Sequence, residues 1–578
     1  MKWFLLAILL GALPASAQTD CAAAPTPAFR TCELAFDLTP QEVSALSGPR
    51  AGVSKDVPKD APKDAPKDAP NGVPWDARAE FRSPRHKTYL IRPFVEDRRL
   101  VFRFAPTEPG VWDYQLTGNL ARLDGQAGHV TASESDAPGF VQAANVHHFS
   151  TGDVATNKQQ PHLWMACALD RFAAMPRADF DRLIGQRAQE KFTHLRLTIE
   201  PATDLREAAE RIRAINAKGL TADLVLAAIP SDARERERYI TNIVARLAAF
   251  NITWAGAPPL EDLPHARVVL KDMGALLEKL DPYQHLRTTL STSTSAPLAG
   301  DGWMNVVSYG TADANVGAVE HQFYQLPSIN TGIQNERDLW NATMNGQYPA
   351  SGSGPAMKAW AEFMAGSRYW ELEPYFDVDG GRALALEGVE YIVYVETPAL
   401  VELTVENHNY DVAWMNPATG EIVPQKDYKG EHFTGEPPDK SHDWVLRVSR
   451  ESRKEGMLKS YKFESRPVPV QEIEQNPART PFDISAPAGE EISLSHPARF
   501  AIKVKRDTRG TRSLLASWTA EVPLEGEGYR VVGTGREGTL NIPRSIADKY
   551  PAVVSLRVML LNANGKAYTL DKVYRLIP

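Results

Sequence analysis

The strongest constraint on this chain lies between residues 155 and 378, where strand-like and helix-like apolar patterns alternate about every 30 residues. Asp179–Lys191 reads as a helix, with Phe180, Leu183 and Ile184 at helical spacing, and His194-Leu195-Arg196-Leu197-Thr198-Ile199 reads as a strand. A helix over Leu205–Lys218 opens after Thr203 and Asp204 and stops at Gly219, as cap chemistry predicts. Strand Thr221–Ile229, a helix capped by Asp232, strand Asn251–Trp254 and helix 266–280 come next. Strands Arg287–Leu290 and Met304–Tyr309, a helical stretch near Ala318–Tyr324 and strand Ser328–Thr331 complete the series. Seven or eight such units in about 220 residues predict a (β/α)8 barrel over 155–378. A doubly wound open sheet is the alternative, although no phosphate-loop glycine cluster marks a strand–helix junction.

The flanks have a different rhythm. Short alternating strands punctuated by turns, such as Leu100–Phe104, Pro106–Gly110 and Val111–Leu116, predict a β-sandwich over 26–150. Its first strand falls within Phe29–Leu38. A Lys-Asp-x-Pro tract interrupts it as a loop insertion over 51–74, because a proline in every fourth position blocks helix and central strand alike. Alternating strands return over 379–450, a polar connection follows over 451–480, and a last β-rich module covers 481–578. The expected fold class is multidomain, α/β plus all-β. It comprises an N-terminal β-sandwich, a central (β/α)8 barrel and two C-terminal β-sandwich modules.

At the N-terminus, Lys2, the apolar stretch Trp3–Leu13 and Ala15-Ser16-Ala17 have the three regions of a signal peptide over 1–17. This predicts a secreted or periplasmic protein with no membrane span. A formal charge of −8 lacks the basic stripe that phosphate backbones require, so nucleic acid is excluded as an expected partner. Cys21 and Cys32 are close enough to pair in an oxidising compartment, and Cys167 sits in an apolar segment that suits an inert buried thiol. No metal or cofactor is expected from the motifs present.

Gly533–Gly538 fits the dinucleotide glycine spacing, but strand and proline follow it where a helix N-terminus would be needed, so it reads as a β-turn. His-Glu-x-x-His, Gly-x-Ser-x-Gly and phosphate-loop motifs do not occur. Carboxylates at the carboxyl ends of barrel strands remain, the chemistry of glycoside cleavage. After the fourth strand come Glu261 and Asp262, and after the seventh comes Glu336. Glu261 and Glu336 are the catalytic candidates. Trp254, Trp303, Tyr309 and His321 are the substrate-binding candidates; for the aromatics, core packing is the competing role.

Several runs resemble a known family. Arg78–Pro84, Phe104–Tyr114 and Pro138–Phe149 resemble the β-sandwich of unknown function that precedes barrels in secreted bacterial glycosidase-like proteins. Pro161–Met165, Asn251–Trp254, Asp281–His285, Gly302–Met304 and Leu339–Tyr348 resemble an apiosidase-like barrel. Asn416–Glu421 and Asp443–Leu446 resemble the collagen-binding-like β-domain that follows such barrels. The resemblance implies a glycoside hydrolase-like barrel acting on, or binding, polysaccharide or oligosaccharide.

The sequence also departs from that pattern. The family's Gly-Asp-Thr after the first barrel strand is replaced by Ala166-Cys167-Ala168. The seventh-strand Asn-x-Glu that supplies the nucleophile reads Asn330-Thr331-Gly332, so the nucleophile's position is glycine. Glu336 falls on a second acidic position of the family. Three functions follow as expectations: a glycoside hydrolase using Glu261 and Glu336, a non-catalytic glycan-binding pseudoenzyme, or a scaffold or adhesion protein whose β-modules carry the function.

Overall fold

The computed structural model describes residues 21, 23–47, 77–152, 159–263, 266–450, 473–487, 489–493, 496–506, 514–521, 529–540, 553–562 and 565–577. The expected signal peptide, the 51–74 insertion and residues 451–472 of the connection lie outside the described residues. The N-terminal module packs a sheet ordered Cys32–Asp37, Arg99–Phe104, Phe94–Glu96 against a second one. That second sheet runs Thr26–Pro27, Ala127–Ser133, Gly110–Thr117, Arg78–Arg82, Thr88–Ile91. Arg78–Arg82 alternates exposed and buried positions, the period-2 pattern of a half-buried strand. Inside, the Phe81 and Phe104 rings stack 3.9 Å apart beside Trp112. A disulfide joins Cys21 to Cys32.

The central region follows the βα order. Strands Ala166–Ala168 (β1), His194–Ile199 (β2), Thr221–Leu226 (β3) and Ile252–Gly256 (β4) are parallel neighbours. Residues 286–288 (β5) contribute a single bridge, Arg287 to Trp254, where the sequence predicts a strand over Arg287–Leu290. Asn305 N–H donates to the Arg287 carbonyl and carries the pairing towards Val307–Tyr309 (β6), Ser328–Asn330 (β7) and Gln347–Pro349 (β8). Among the described residues, α-helices occupy six of the seven strand-to-strand crossovers, a short 3-10 turn (Ala296–Asp301) occupies the one after β5, and helix Pro355–Ala365 follows β8. Helices Leu205–Ala217, Ala233–Leu247 and Ala314–Phe323 each start at an aspartate whose carboxylate accepts from first-turn N–H groups: Asp204, Asp232 and Asp313.

The third module is one seven-stranded sheet, and it begins earlier than 379. Glu373–Tyr375 and Val378–Asp379 already belong to it, because Glu373–Tyr375 pairs with Ala383–Ala385 and Tyr375 donates to the Thr404 carbonyl. The last module has sheets of three and five strands, and residues 535–536 turn the chain between Tyr529–Thr534 and Glu537–Leu540. Buried ion pairs and apolar contacts tie the modules to the barrel. Arg246 reaches Glu96 and the Val95 carbonyl in the sandwich, and Arg382 reaches Asn341 in helix Glu336–Met344. Val319 packs against Met559, Leu561 and Ala567 of the last module.

Candidate functional site at the carboxyl end of the barrel

Active sites of (β/α)8 enzymes lie at the carboxyl ends of the strands. Here glycines bring the backbones of neighbouring strand ends into contact. Gly256 ends β4 with φ +76°, and a Cβ there would overlap the Thr288 carbonyl. A Cβ at Gly310, just after β6, would overlap the Ser291 carbonyl, and one at Gly332, just after β7, would overlap the Gly310 carbonyl. The end of β7 is also pinned by hydrogen bonds. Asn330 Nδ2 donates to the Thr311 carbonyl (2.8 Å) and to Gln347 Oε1 (2.7 Å), its Oδ1 accepts from Gly332 N–H (2.8 Å), and Ser351 Oγ donates to the Thr331 carbonyl (2.8 Å).

The two acidic candidates have separate partners. Glu261 lies on a short 3-10 turn (Leu260–Asp262) and is exposed, its carboxylate accepting from Ser291 Oγ (2.6 Å) and Thr292 N–H (3.0 Å) beyond β5. Glu336 opens helix Glu336–Met344, where Asn335 caps the helix by accepting from Asp338 N–H. It faces the third module. Burial and the nearby Asp443 carboxylate push the Glu336 carboxyl above its usual range, against the pull of His442 and Arg337. Asp443 itself is held by Arg337 (2.9 and 3.0 Å) and by the Tyr394 hydroxyl (2.7 Å). The sequence analysis missed Asp443, because nothing local links it to a helix start 107 residues earlier.

The four proposed binding side chains are brought to other places. Trp254 is buried and its indole donates to Asp281 Oδ2 (2.9 Å). Trp303 is buried against Gly274 of helix Ala266–Leu280. Tyr309 is buried beside Glu320 and Thr294; burial raises the enclosed Glu320 carboxyl to about 7, against the lowering effect of hydrogen bonds with Thr294 and Tyr309. His321 is buried too, its Nε2 2.6 Å from Glu373 at the amino end of the barrel. Side by side on β2, β3 and β4, Arg196 and Thr253 both donate to Asp223, a buried polar row the sequence analysis did not single out. Its signal was present as polar residues at matching positions of three successive strands. Cys167 is buried, and burial raises its thiol to about 11, so it is no nucleophile.

No family model matches the sequence, and no curated protein matches it. Among solved structures, a protein from Bacteroides vulgatus ATCC 8482 described as a candidate glycoside hydrolase superposes with a TM-score of 0.58 at 16% identity, covering 74% of this chain and 99% of that one. A glycoside hydrolase matches with a TM-score of 0.48 at 13% identity, over 55% of this chain and 99% of its own. A glycoside hydrolase family 5 protein from the same Bacteroides strain matches at 0.47 and 12%, over 58% and 99%. The first likeness shows the fold: this chain shares the mixed α/β, multi-sheet architecture of that structure.

Proposed function

We propose that this chain is an exported glycoside hydrolase-like protein that binds polysaccharide or oligosaccharide without hydrolysing it. One observation carries the reading. The position at which the resemblance expects the seventh-strand nucleophile is Gly332, and the Gly310 carbonyl fills the space a side chain would need. A retaining mechanism loses its covalent step and the charge facing the oxocarbenium-like transition state. Removal of such a group typically lowers the rate by roughly 10³-fold or more. Recognition then falls to polar groups, since Trp254, Trp303 and Tyr309 are buried. The exposed Glu261 offers acceptor oxygens to sugar hydroxyls, and Glu336 offers a second carboxyl. The signal-peptide pattern and the Cys21–Cys32 disulfide support export to the periplasm or beyond.

A second reading, an inverting hydrolase with Glu336 as general acid, is favoured by that raised carboxyl alone. The mature chain, Glu261→Gln and Glu336→Gln are to be incubated with a polysaccharide panel, with reducing ends assayed and saccharide binding measured by calorimetry. The expected result is no release above the protein-free control, with binding weakened about tenfold in the glutamine variants. Release that disappears in Glu336→Gln would establish the hydrolase instead, and neither release nor binding would leave the scaffold role.

A further inference from the structure

Four side chains from three modules converge where the barrel's amino end meets its neighbours. His147 and His148 lie where the sandwich chain enters strand His148–Thr151, His321 is in the last turn of helix Ala314–Phe323, and Glu373 opens the third module's first strand. Glu373 is the hub. His321 Nε2 lies 2.6 Å from its Oε2, His147 Nδ1 lies 3.0 and 3.2 Å from its two oxygens, and His148 Nε2 lies 3.4 Å from its Oε1. The donor atoms of His147, His321 and Glu373 fall within 4.8 Å of one another. A tetrahedral ion with bonds of about 2.0–2.1 Å needs its ligand atoms about 3.3 Å apart, so the 2.6 Å His321–Glu373 and 3.0 Å His147–Glu373 separations would widen slightly on binding.

The proton inventory points the same way. A neutral imidazole has one N–H and one lone pair. His147 nevertheless faces oxygen acceptors with both nitrogens: Glu373 at Nδ1 and the Tyr324 carbonyl at Nε2, 3.1 Å away. If Nε2–H donates to that carbonyl, the Nδ1 lone pair points at a carboxylate, which is repulsive unless a cation lies between them. His148 has no such conflict: the Tyr348 hydroxyl, 2.8 Å away, can donate to its Nδ1 while Nε2–H faces Glu373 Oε1 at 3.4 Å. A carbonyl that orients the far nitrogen of His147 is the outer-shell arrangement of a metal-bound histidine. Gly346 leaves room for the His321 ring, since a Cβ there would lie 2.5 Å from its Cε1.

We propose that His147, His321 and Glu373 bind one borderline divalent transition-metal ion, of which Zn(II) is the type, as a clasp between the sandwich, the barrel and the third module. Two imidazoles and one carboxylate suit such an ion and disfavour Mg(II) or Ca(II), which prefer oxygen donors. The three ligands come from three modules, so the ion would act as a clasp, with a water in the fourth position. His147 and Glu373 are 226 residues apart in the chain, so the clasp would fix a long-range junction that Asn145 also holds through the Trp370 carbonyl (2.9 Å).

The test uses the tag-free mature chain, stripped with a chelator and titrated with Zn(II) and, separately, Co(II). The expected result is one equivalent bound per chain, a rise in melting temperature on Zn(II) addition, and the visible absorption of tetrahedral Co(II). Glu373→Gln and His321→Ala should weaken binding at least about 100-fold, while His148→Gln, which keeps all three ligands, should still bind one equivalent. Absence of binding to the wild type would overturn the proposal and leave an imidazolium–carboxylate pair. Equal uptake by wild type and Glu373→Gln would overturn it as well, since the ion would then reside elsewhere.

Discussion

The two ends of this barrel invert the distribution of chemistry expected of a (β/α)8 enzyme. In such enzymes the carboxyl end carries the reacting groups and the amino end carries stability. Here the carboxyl end is drawn together through Gly256, Gly310 and Gly332, and its carboxylate candidate Glu261 is exposed. Apart from Glu320 beside the end of β6, buried ionisable groups gather at the amino end. His162 and His194 share a 2.8 Å contact below β2, with the His194 ring stacked 3.6 Å from Trp164. Asp281 precedes β5 and accepts from Trp254, His285 and Tyr283. The His147, His148, His321 and Glu373 cluster lies at the same end. Buried polar groups at the amino end join the barrel to its neighbours.

The largest effect that would test this contrast is at Asp281. Burial alone would raise its carboxyl, but His285 and the donors from Trp254 and Tyr283 hold it below the usual range. Asp281→Ala leaves an indole, an imidazole and two backbone N–H groups without their acceptor, and is expected to destabilise by about 3–5 kcal/mol in urea unfolding. A loss below about 1 kcal/mol would break the comparison. Next is Gly332→Ala at the other end. A Cβ there meets backbone atoms that cannot rotate aside, so about 2–3 kcal/mol of stability is lost. For the same reason Gly332→Glu should lower the melting temperature and produce no release of reducing ends. Release by Gly332→Glu would mean that the strand end opens and that the nucleophile alone was missing.

A pH titration isolates the amino end further. Burial lowers His162 to about 4, and burial with the neighbouring His162 and Arg196 lowers His194 well below its ordinary value. The folded state therefore resists protonation that the unfolded chain accepts. Stability is complete above the ordinary histidine value of about 6.5 and is lost as pH falls towards 4. The His162 ring keeps part of its surface exposed, so we take its share as about 2 kcal/mol, below the full linkage value. His162→Gln should flatten the acid limb between pH 6.5 and 4; an unchanged limb would place the acid sensitivity elsewhere.

What was legible in the sequence was what is local. Asp204 and Asp232 cap their helices because capping is decided within one turn, and the parallel strands β2, β3 and β4 follow from apolar runs of strand length. The fifth strand shrinks to one bridge because Gly256 and Gly310 bring β4 and β6 onto residues 288–292, a constraint set in three dimensions. The strand at Glu373–Tyr375 is short and contains Pro374, so its pairing with Ala383–Ala385 leaves little trace in composition. His321 was legible as a residue of interest but not in its setting, since its partners lie 174 and 52 residues away. The aromatic candidates show the same limit. Trp254 and Trp303 follow strand and loop patterns equally well whether they face a cleft or the helices.

The smallest stability effect belongs to Glu261, and its smallness is what makes it informative. The carboxylate is exposed, and its two hydrogen bonds, from Ser291 Oγ and Thr292 N–H, compete with water. Glutamine keeps the shape and one acceptor, so Glu261→Gln should shift unfolding by no more than about 0.5 kcal/mol. Its effect on saccharide binding should be larger than that, since a charged acceptor contributes roughly twice what a neutral one does. Paired measurements of unfolding and calorimetric binding on the same preparation would separate the two. Weakened binding at unchanged stability would identify the carboxyl end as a recognition surface. A stability loss comparable to that of Asp281→Ala would instead make both ends of the barrel structural, and the contrast between them would disappear.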